Sequence, residues 1–365
     1  MTTIGAEEEE QRSSILSSPS TTITSIEEDQ GKLLEEKIKK AARSQDMSNL
    51  LQPEALDGRM LFAIPKKGRL YEKCLELLQG ADIQFKRAHR LDVALVQNHP
   101  IALVFLPAAD IPRFVGEGNV DLGITGQDMV AEAGETVSKL VTEELQLGFG
   151  KCKLQVQVPE SSTSIKTVED LVGKKVATSF DYLAGKYFAE LEAKLDKGSG
   201  GSDQSQLRTK IEYVGGSVEA ACALGLADGI VDLVESGETM RACGLHEIGT
   251  LLSSQAVLIK SAAPHARSNT ALINLITSRI RGVIAASRYV LVTYNVKNEQ
   301  LEENLRITPG RRAATVMPLD DKLWNAVQAM VLRSDVAVTC DKLESAGAQD
   351  ILVMQLANCR IEGSS

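Results

Sequence analysis

The chain has 365 residues, 43% hydrophobic and 24% charged, with a formal net charge of -9. That length and balance suit a soluble globular protein of two or three domains, at about 100 to 200 residues per domain. A membrane span would need roughly 18 to 20 consecutive apolar residues, which do not occur, and a net negative chain has no general electrostatic grip on nucleic acid, so a polyphosphate ligand would have to be met by local cations.

Residues 1–57 are expected to form a disordered acidic extension, rich in Ser, Thr and Glu and including the acidic run 7–10. They hold neither an apolar h-region nor an Arg-rich amphipathic stretch, so no signal or transit peptide is read there and a cytoplasmic location is expected. The six cysteines (Cys74, Cys152, Cys222, Cys243, Cys340, Cys359) are scattered without a CxxC pair, the pattern of reduced thiols and not of a disulfide framework. The four histidines (His89, His99, His246, His265) show no metal-ligand spacing, so protein-held zinc is not expected.

From residue 60 short apolar runs alternate with helix-like segments. Strands are predicted at 61–65, 101–107 and 120–125, with helices at 69–79 and 110–118. A second block predicts strands at 153–159, 174–180, 210–214 and 229–234, with helices at 182–195 and 218–227. Strands alternating with helices imply parallel pairing under helical cover. Two such blocks imply two lobes: 58–150 with a return segment at 248–265, and 151–247. The run KGSGGSDQSQ at 197–206 has linker composition but falls between a helix and a strand, and reads as a surface loop insertion. Residues 266–365 are expected to hold a linker helix and then the order βαββαβ, a ferredoxin-like pattern.

The segment DGIVDLVESGETMRACG (228–244) reads as a strand, a small polar turn and a short helix. Backbone N–H groups and hydroxyls at Ser236, Gly237, Glu238 and Thr239 suit a phosphate. Asp228, Asp232 and Glu235 could hold ribose hydroxyls or the waters of a Mg2+ ion. A plain capped helix after a buried strand is the alternative. In FAIPKKGRL (62–70), Lys66, Lys67, Gly68 and Arg69 follow a strand, where α/β folds bind anionic ligands; an ordinary solvated loop would look the same. Arg87, Arg90, Asp121 and Asp128 sit near further strand ends, each a weak signal by itself. No Ser/His/Asp or Cys/His arrangement marks a covalent nucleophile.

In order and spacing, FAIPKKGRL, HRLD, VDLGITG, KVATS, GGSVEAACALGLADGIVDLVESGETMRACGL and TPGRRAATVMPL resemble the long form of ATP phosphoribosyltransferase, most closely the fungal enzymes. The resemblance covers nearly all of 61–360. It implies an α/β fold with a two-lobed catalytic unit similar to periplasmic binding proteins, and a C-terminal ferredoxin-like regulatory domain. It implies a pentosyltransferase that joins ATP to phosphoribosyl pyrophosphate (PRPP) with Mg2+, inhibited by histidine, acting as a homo-oligomer (a hexamer in exchange with a dimer), without nucleic-acid or membrane partners. Carried onto this sequence, PRPP would meet Asp228, Asp232, Glu235, Ser236, Gly237, Glu238 and Thr239, with Asp228 and Asp232 on the metal side. ATP would meet Lys66, Gly68, Arg69, Arg90 and Asp121, and histidine would contact Ala313 and Thr315. Alternative classes are a non-catalytic solute-binding module and a degenerate regulatory subunit.

Overall fold

The computed structural model describes residues 56–87, 91–199, 207–263 and 268–360. Residues 1–55 of the expected extension, Arg90, and the 200–206 part of the Gly-Ser insertion lie outside the described residues.

The first lobe is built on a six-stranded sheet. Its strands are β1 (Met60–Pro65), β2 (Val93–Leu95), β3 (Ile101–Leu106), β4 (Leu122–Gly126), β5 (Val141–Gln146) and β11 (Ala256–Ser261), in the order β2-β3-β1-β4-β11-β5. In β1, Phe62, Ala63 and Ile64 are all fully buried, because the strand is covered on both faces. Phe62 and Ile64 pack into one core and Ala63 into the other, as the period of two in a strand requires. Burying Phe62 and Ile64 contributes about 1.5–3 kcal/mol each. Helix α1 (Arg69–Gly80) covers the first face with Leu70, Cys74, Leu77 and Leu78, while α2 (Ile111–Gly116) covers the second with Ile111 and Val115.

The pairing corrects the all-parallel expectation. β3, β1 and β4 run parallel, but β2, β11 and β5 join antiparallel. The chain returns from the other lobe at β11, so its direction there is set by where it enters, not by a helical crossover.

After α3 (Gln127–Glu132), α4 (Gly134–Ser138) and β5 the chain enters the second lobe, whose strands are β6 (Cys152–Pro159), β7 (Lys175–Thr178), β8 (Lys210–Tyr213), β9 (Gly229–Val234) and β10 (Leu245–Ser254). Their order is β10-β6-β9-β7-β8, with β9, β7 and β8 parallel and β10, β6 and β9 antiparallel. Helix α5 (Asp181–Ser199) extends into the stretch expected to be loop. Helix α6 (Ala220–Ala223) is a single turn where a ten-residue helix was expected; Gly225, at φ 71°, stops it.

Two boundaries move. The returning strand is AVLIKS (Ala256–Ser261), where the sequence places it, but the segment does not start at the expected 248 boundary, because β10 pairs with β6 as far as Ser254 opposite Cys152. The expected linker helix is α8 (Thr270–Arg288), and its Leu272, Ile273, Ile276 and Ile280 belong to the first lobe's core. It is therefore a wall of that lobe and not a free connector.

The C-terminal sheet contains β12 (Tyr289–Lys297), β13 (Thr315–Pro318), β14 (Trp324–Leu332) and β15 (Gln349–Gln355), with helices α9 (Leu301–Ile307) and α10 (Val336–Ser345) between them. The order β13-β14-β12-β15, antiparallel throughout, is the ferredoxin-like arrangement read from the sequence. Alternate residues Val290, Val292, Tyr294 and Val296 face the helices and are buried. The Tyr294 hydroxyl lies 2.7 Å from the Thr308 hydroxyl, which satisfies both inside that core. No helix among the described residues is long and apolar enough to cross a membrane.

Candidate functional site

The chain passes between lobes twice, near 147–152 and 254–256, and these crossings form the floor of a cleft. Asp128, at the start of α3, is buried there and bonds through its carboxylate to the Ser254 hydroxyl, while its own N–H donates to Ser254 Oγ at 3.0 Å. A second tie joins α3 to α5. The Glu132 carboxylate accepts the N–H groups of Tyr182 at 2.9 Å and Leu183 at 3.0 Å, and Lys186 pairs with Glu135 of the neighbouring α4 at 3.3 Å. Burial pushes the Glu132 carboxyl above the ordinary carboxylate range, although both N–H donors oppose this.

On the second lobe's wall, β9 ends in the polar turn. Gly237 is buried and adopts φ 74°, a left-handed conformation that favours glycine. Helix α7 (Glu238–Ala242) has only five residues, so its dipole adds little, and the donors the turn offers are its backbone N–H groups and hydroxyls. Ser236, Glu238 and Thr239 are exposed. Arg241 folds back over the turn and donates from Nη2 to the Ser236 carbonyl at 3.1 Å.

On the opposite wall, the loop after β1 carries Lys66, Gly68 and Arg69. Gly68 caps α1 at φ 87° with no side-chain cap, and a Cβ there would meet nothing within 4 Å. Its conformation, and not crowding, calls for glycine. Arg69 reaches across the cleft: Nη2 donates to Cys152 Sγ at 3.0 Å, and Nη1 lies 3.6 Å from Glu235 Oε2. Residues expected to serve two different ligands therefore touch. They line a cavity of about 450 Å³ with Asp232, Ser236, Gly237, Glu238 and Thr239.

Asp232 faces this cavity from β9 and accepts the Leu233 N–H at 2.8 Å. Burial pushes its carboxyl up to about 6; the Leu233 N–H and Arg69 pull it down, and Glu219 pushes it further up. Gln157 and Glu219 complete the wall and were missed in the sequence reading. A signal existed for Gln157, since Gln155 and Gln157 are polar residues two apart on the otherwise apolar strand KLQVQVP, which puts them on one face; both are only 2% exposed. A neighbouring cavity of about 750 Å³ shares the turn and extends past Lys151, Lys153 and His246.

Two expected site residues belong elsewhere. Asp121 is buried at the amino end of β4, where its carboxylate accepts from Leu61 N at 2.8 Å and from the Ser268 hydroxyl at 2.7 Å. Leu61 is the second residue of β1, whereas Lys66 follows its carboxyl end, about 16 Å away along the strand. Asp228 likewise precedes β9 and accepts from Lys175 N at 3.0 Å. It lies about 13 Å of extended chain from Asp232, so the two aspartates do not share a metal or ribose site. Of the other cations, Arg87 is engaged by packing: its guanidinium stacks 3.9 Å from the Phe105 ring centre, and Nε donates to the Leu91 carbonyl at 3.0 Å. Lys66 and Gly68 sit on the same loop as Arg69 but line neither cleft cavity. Ala313 and Thr315 border a separate cavity beside the C-terminal sheet.

Fold and site together define a two-lobed α/β protein whose cleft sets Arg69 against the polar Glu235–Thr239 turn, with a ferredoxin-like domain attached. The description "ATP phosphoribosyltransferase" matches residues 107–282, and "HisG, C-terminal domain" matches 286–358. The ATP phosphoribosyltransferase of Yarrowia lipolytica is 56% identical over 306 residues, covering 84% of this chain and 98% of its own. That of Saccharomyces cerevisiae is 52% identical over 306 residues, with the same coverage of 84% and 98%. Among solved structures, a chain of the ATP phosphoribosyl transferase (HisG:HisZ) complex from Thermotoga maritima aligns with TM-score 0.49 and 22% identity, over 61% of this chain and 96% of that one. The chain belongs to the ATP phosphoribosyltransferase family, the pentosyltransferases of histidine biosynthesis.

Proposed function

We propose that the protein transfers the phosphoribosyl group of PRPP to N1 of the adenine of ATP and releases pyrophosphate. The observation that carries this reading is Arg69 crossing the cleft to the Glu235–Thr239 turn, which gives one cavity both a cation and a phosphate cradle. The N1–C1′ bond forms as the C1′–O bond to pyrophosphate breaks. N1 is largely unprotonated at neutral pH, so no strong general base is required. The protein's task is to hold two anionic substrates in line and to stabilise the departing charge.

In this reading the turn at Ser236, Gly237, Glu238 and Thr239 cradles PRPP phosphate oxygens, and Asp232 faces the ribose, where positive charge develops. Lys66, Gly68 and Arg69 form the ATP side, together with Arg90. Mg2+ would neutralise charge on the pyrophosphate. Among the described residues no three His, Cys, Asp or Glu side chains are grouped to cage a metal. The ion would therefore be held mainly by substrate and water, with the Asp232 carboxylate facing the same cavity.

Histidine would act as a feedback inhibitor through the C-terminal domain near Ala313 and Thr315. Assembly into hexamers in exchange with dimers would cover that domain's exposed apolar side chains, among them Met317, Leu352 and Met354. The cytoplasm is the proposed location.

The test is pyrophosphate release from PRPP by the purified full chain with Mg2+, with and without ATP, and then with histidine. ATP-dependent release suppressed by histidine supports the whole reading. Release insensitive to histidine removes the regulatory part, and no release from folded protein removes the reaction.

A further inference from the structure

One nitrogen of Arg69 points at the Glu235 turn, and the other is tied to a chain of polar groups on the cleft floor. Nη2 donates to Cys152 Sγ at 3.0 Å. Cys152 opens β6 opposite Ser254, the last residue of β10, and the Ser254 hydroxyl lies within hydrogen-bond reach of the thiol. That hydroxyl donates to the Asp128 carboxylate, and its oxygen accepts the Asp128 N–H at 3.0 Å. Cys152, Ser254 and Asp128 are 6%, 5% and 2% exposed, so little water competes for these bonds.

Bare backbone brings the groups together. Gly150 takes φ 64°, and a Cβ there would lie 2.5 Å from Leu70 Cδ2; the missing side chain lets the first interlobe crossing press against the start of α1, beside Arg69. A Cβ at Gly126 would collide with the Asp128 carboxylate, so that position has to be bare as well.

The two ends of the chain set its direction. A guanidinium only donates and an ionised carboxylate only accepts. The thiol therefore accepts from Arg69 and donates to Ser254, whose own proton goes to Asp128. Burial raises the Cys152 thiol above its ordinary range, against the pull of Arg69, so at neutral pH it keeps the proton it has to give. Hydrogen bonds aligned head to tail polarise one another, here between a cation and a buried anion. With Nη2 held in this way, Nη1 is left aimed at Glu235.

We propose that Cys152, Ser254 and Asp128 form a positioning network that aims Arg69 across the cleft, so that the two interlobe crossings set the orientation of the cation that substrate meets. Its effect on rate rests on the catalytic role given to Arg69; its hydrogen bonds do not.

Two measurements on the full-length chain test this. In the first, pyrophosphate release is followed in Cys152→Ala and Cys152→Ser, and Cys152→Ala is repeated in an Arg69→Ala background. The alanine should lower kcat/KM at least about fivefold, and the serine, which still accepts and donates, should return it to within about twofold of native. Once Arg69 is gone the alanine should cost nothing more, because the two residues act through one interaction. A cysteine that only packs would cost the same factor in both backgrounds; that outcome overturns the proposal, as does a serine variant no better than alanine. The second measurement needs no turnover. Subtracting the infrared spectrum of the matching Cys152→Ala chain isolates the S–H stretching band of Cys152, which should move to higher frequency in Arg69→Ala and in Asp128→Asn as its bond to Ser254 weakens. Should the native chain release no pyrophosphate, the catalytic reading fails and the band alone decides. A band unshifted in both variants overturns the network.

Discussion

Arg69 Nη1 stands 3.6 Å from Glu235 Oε2, the first residue opening α1 in one lobe and the second following β9 in the other. The pair ties the two walls of the cleft where both substrates are expected. Its side chains are 34% and 57% exposed, and a pair so wet is worth about 0–1 kcal/mol of stability. Arg69→Ala should therefore leave the thermal midpoint nearly unchanged while kcat/KM falls about 10- to 100-fold. Steady-state kinetics with each substrate varied, beside a melting curve, separates the two; intact kinetics would remove Arg69 from the site.

Gly237→Ala should damage the turn itself. A non-glycine residue in the left-handed region costs about 1–2 kcal/mol, and the new Cβ would sit 2.7 Å from Arg241 Nη1. The expected result is a rise of at least about tenfold in KM for PRPP, with a smaller change for ATP. Thr239→Ala, which keeps the backbone, should show the same preference for PRPP in a milder form. Equal effects on both substrates would argue that the turn does not discriminate between them.

Asp232 links activity and stability in opposite senses. Burial raises its folded pKa to about 6, above the 3.8 ordinary for an aspartate, so the folded state holds the proton more tightly than the unfolded one. Between about pH 4 and pH 6 this group's contribution to stability falls as pH rises, and above pH 6 the loss is complete. Asp232→Asn should then stabilise the chain at pH 7, by about 1 kcal/mol or more, while lowering turnover. Urea unfolding of both chains at pH 4.5 and pH 7 checks the sign; a variant less stable at pH 7 contradicts it. In the native chain, activity should decline as pH drops through about 6, where the carboxylate becomes neutral.

Asp121→Ala should act on stability alone. Removing the carboxylate leaves the Leu61 N–H without its side-chain partner in a buried place, at a cost of about 1–3 kcal/mol. The urea midpoint should fall while KM for ATP stays within about twofold of the native value. A selective rise in KM for ATP would restore the role first expected for this residue.

Much of the architecture was legible because its signals are local. The polar turn ESGET after GIVDLV, the glycine before Arg69, and the βαββαβ order of the C-terminal domain all rest on periodicity and turn chemistry within a few residues. β10 was missed because its register shifts between Glu247 and Gly249 and again between Thr250 and Leu252, and such bulges break the period of two on which a strand is read. α8 was read as a linker because its apolar stripe shows that it packs, without showing against what.

By itself, the sequence determined the alternation of strands and helices in both lobes, the βαββαβ order of the C-terminal domain and the place of the polar turn after β9, since those outcomes follow from side-chain periodicity and backbone preference. Only the tertiary structure decided which charged residues share a cavity. Asp121 and Asp228 looked equivalent to Asp232 in the chain, yet a strand has two ends, and its length carries them about 13 to 16 Å from the cleft. Arg69 and Glu235, 166 positions apart, meet because two sheets joined by paired crossings bring their walls face to face.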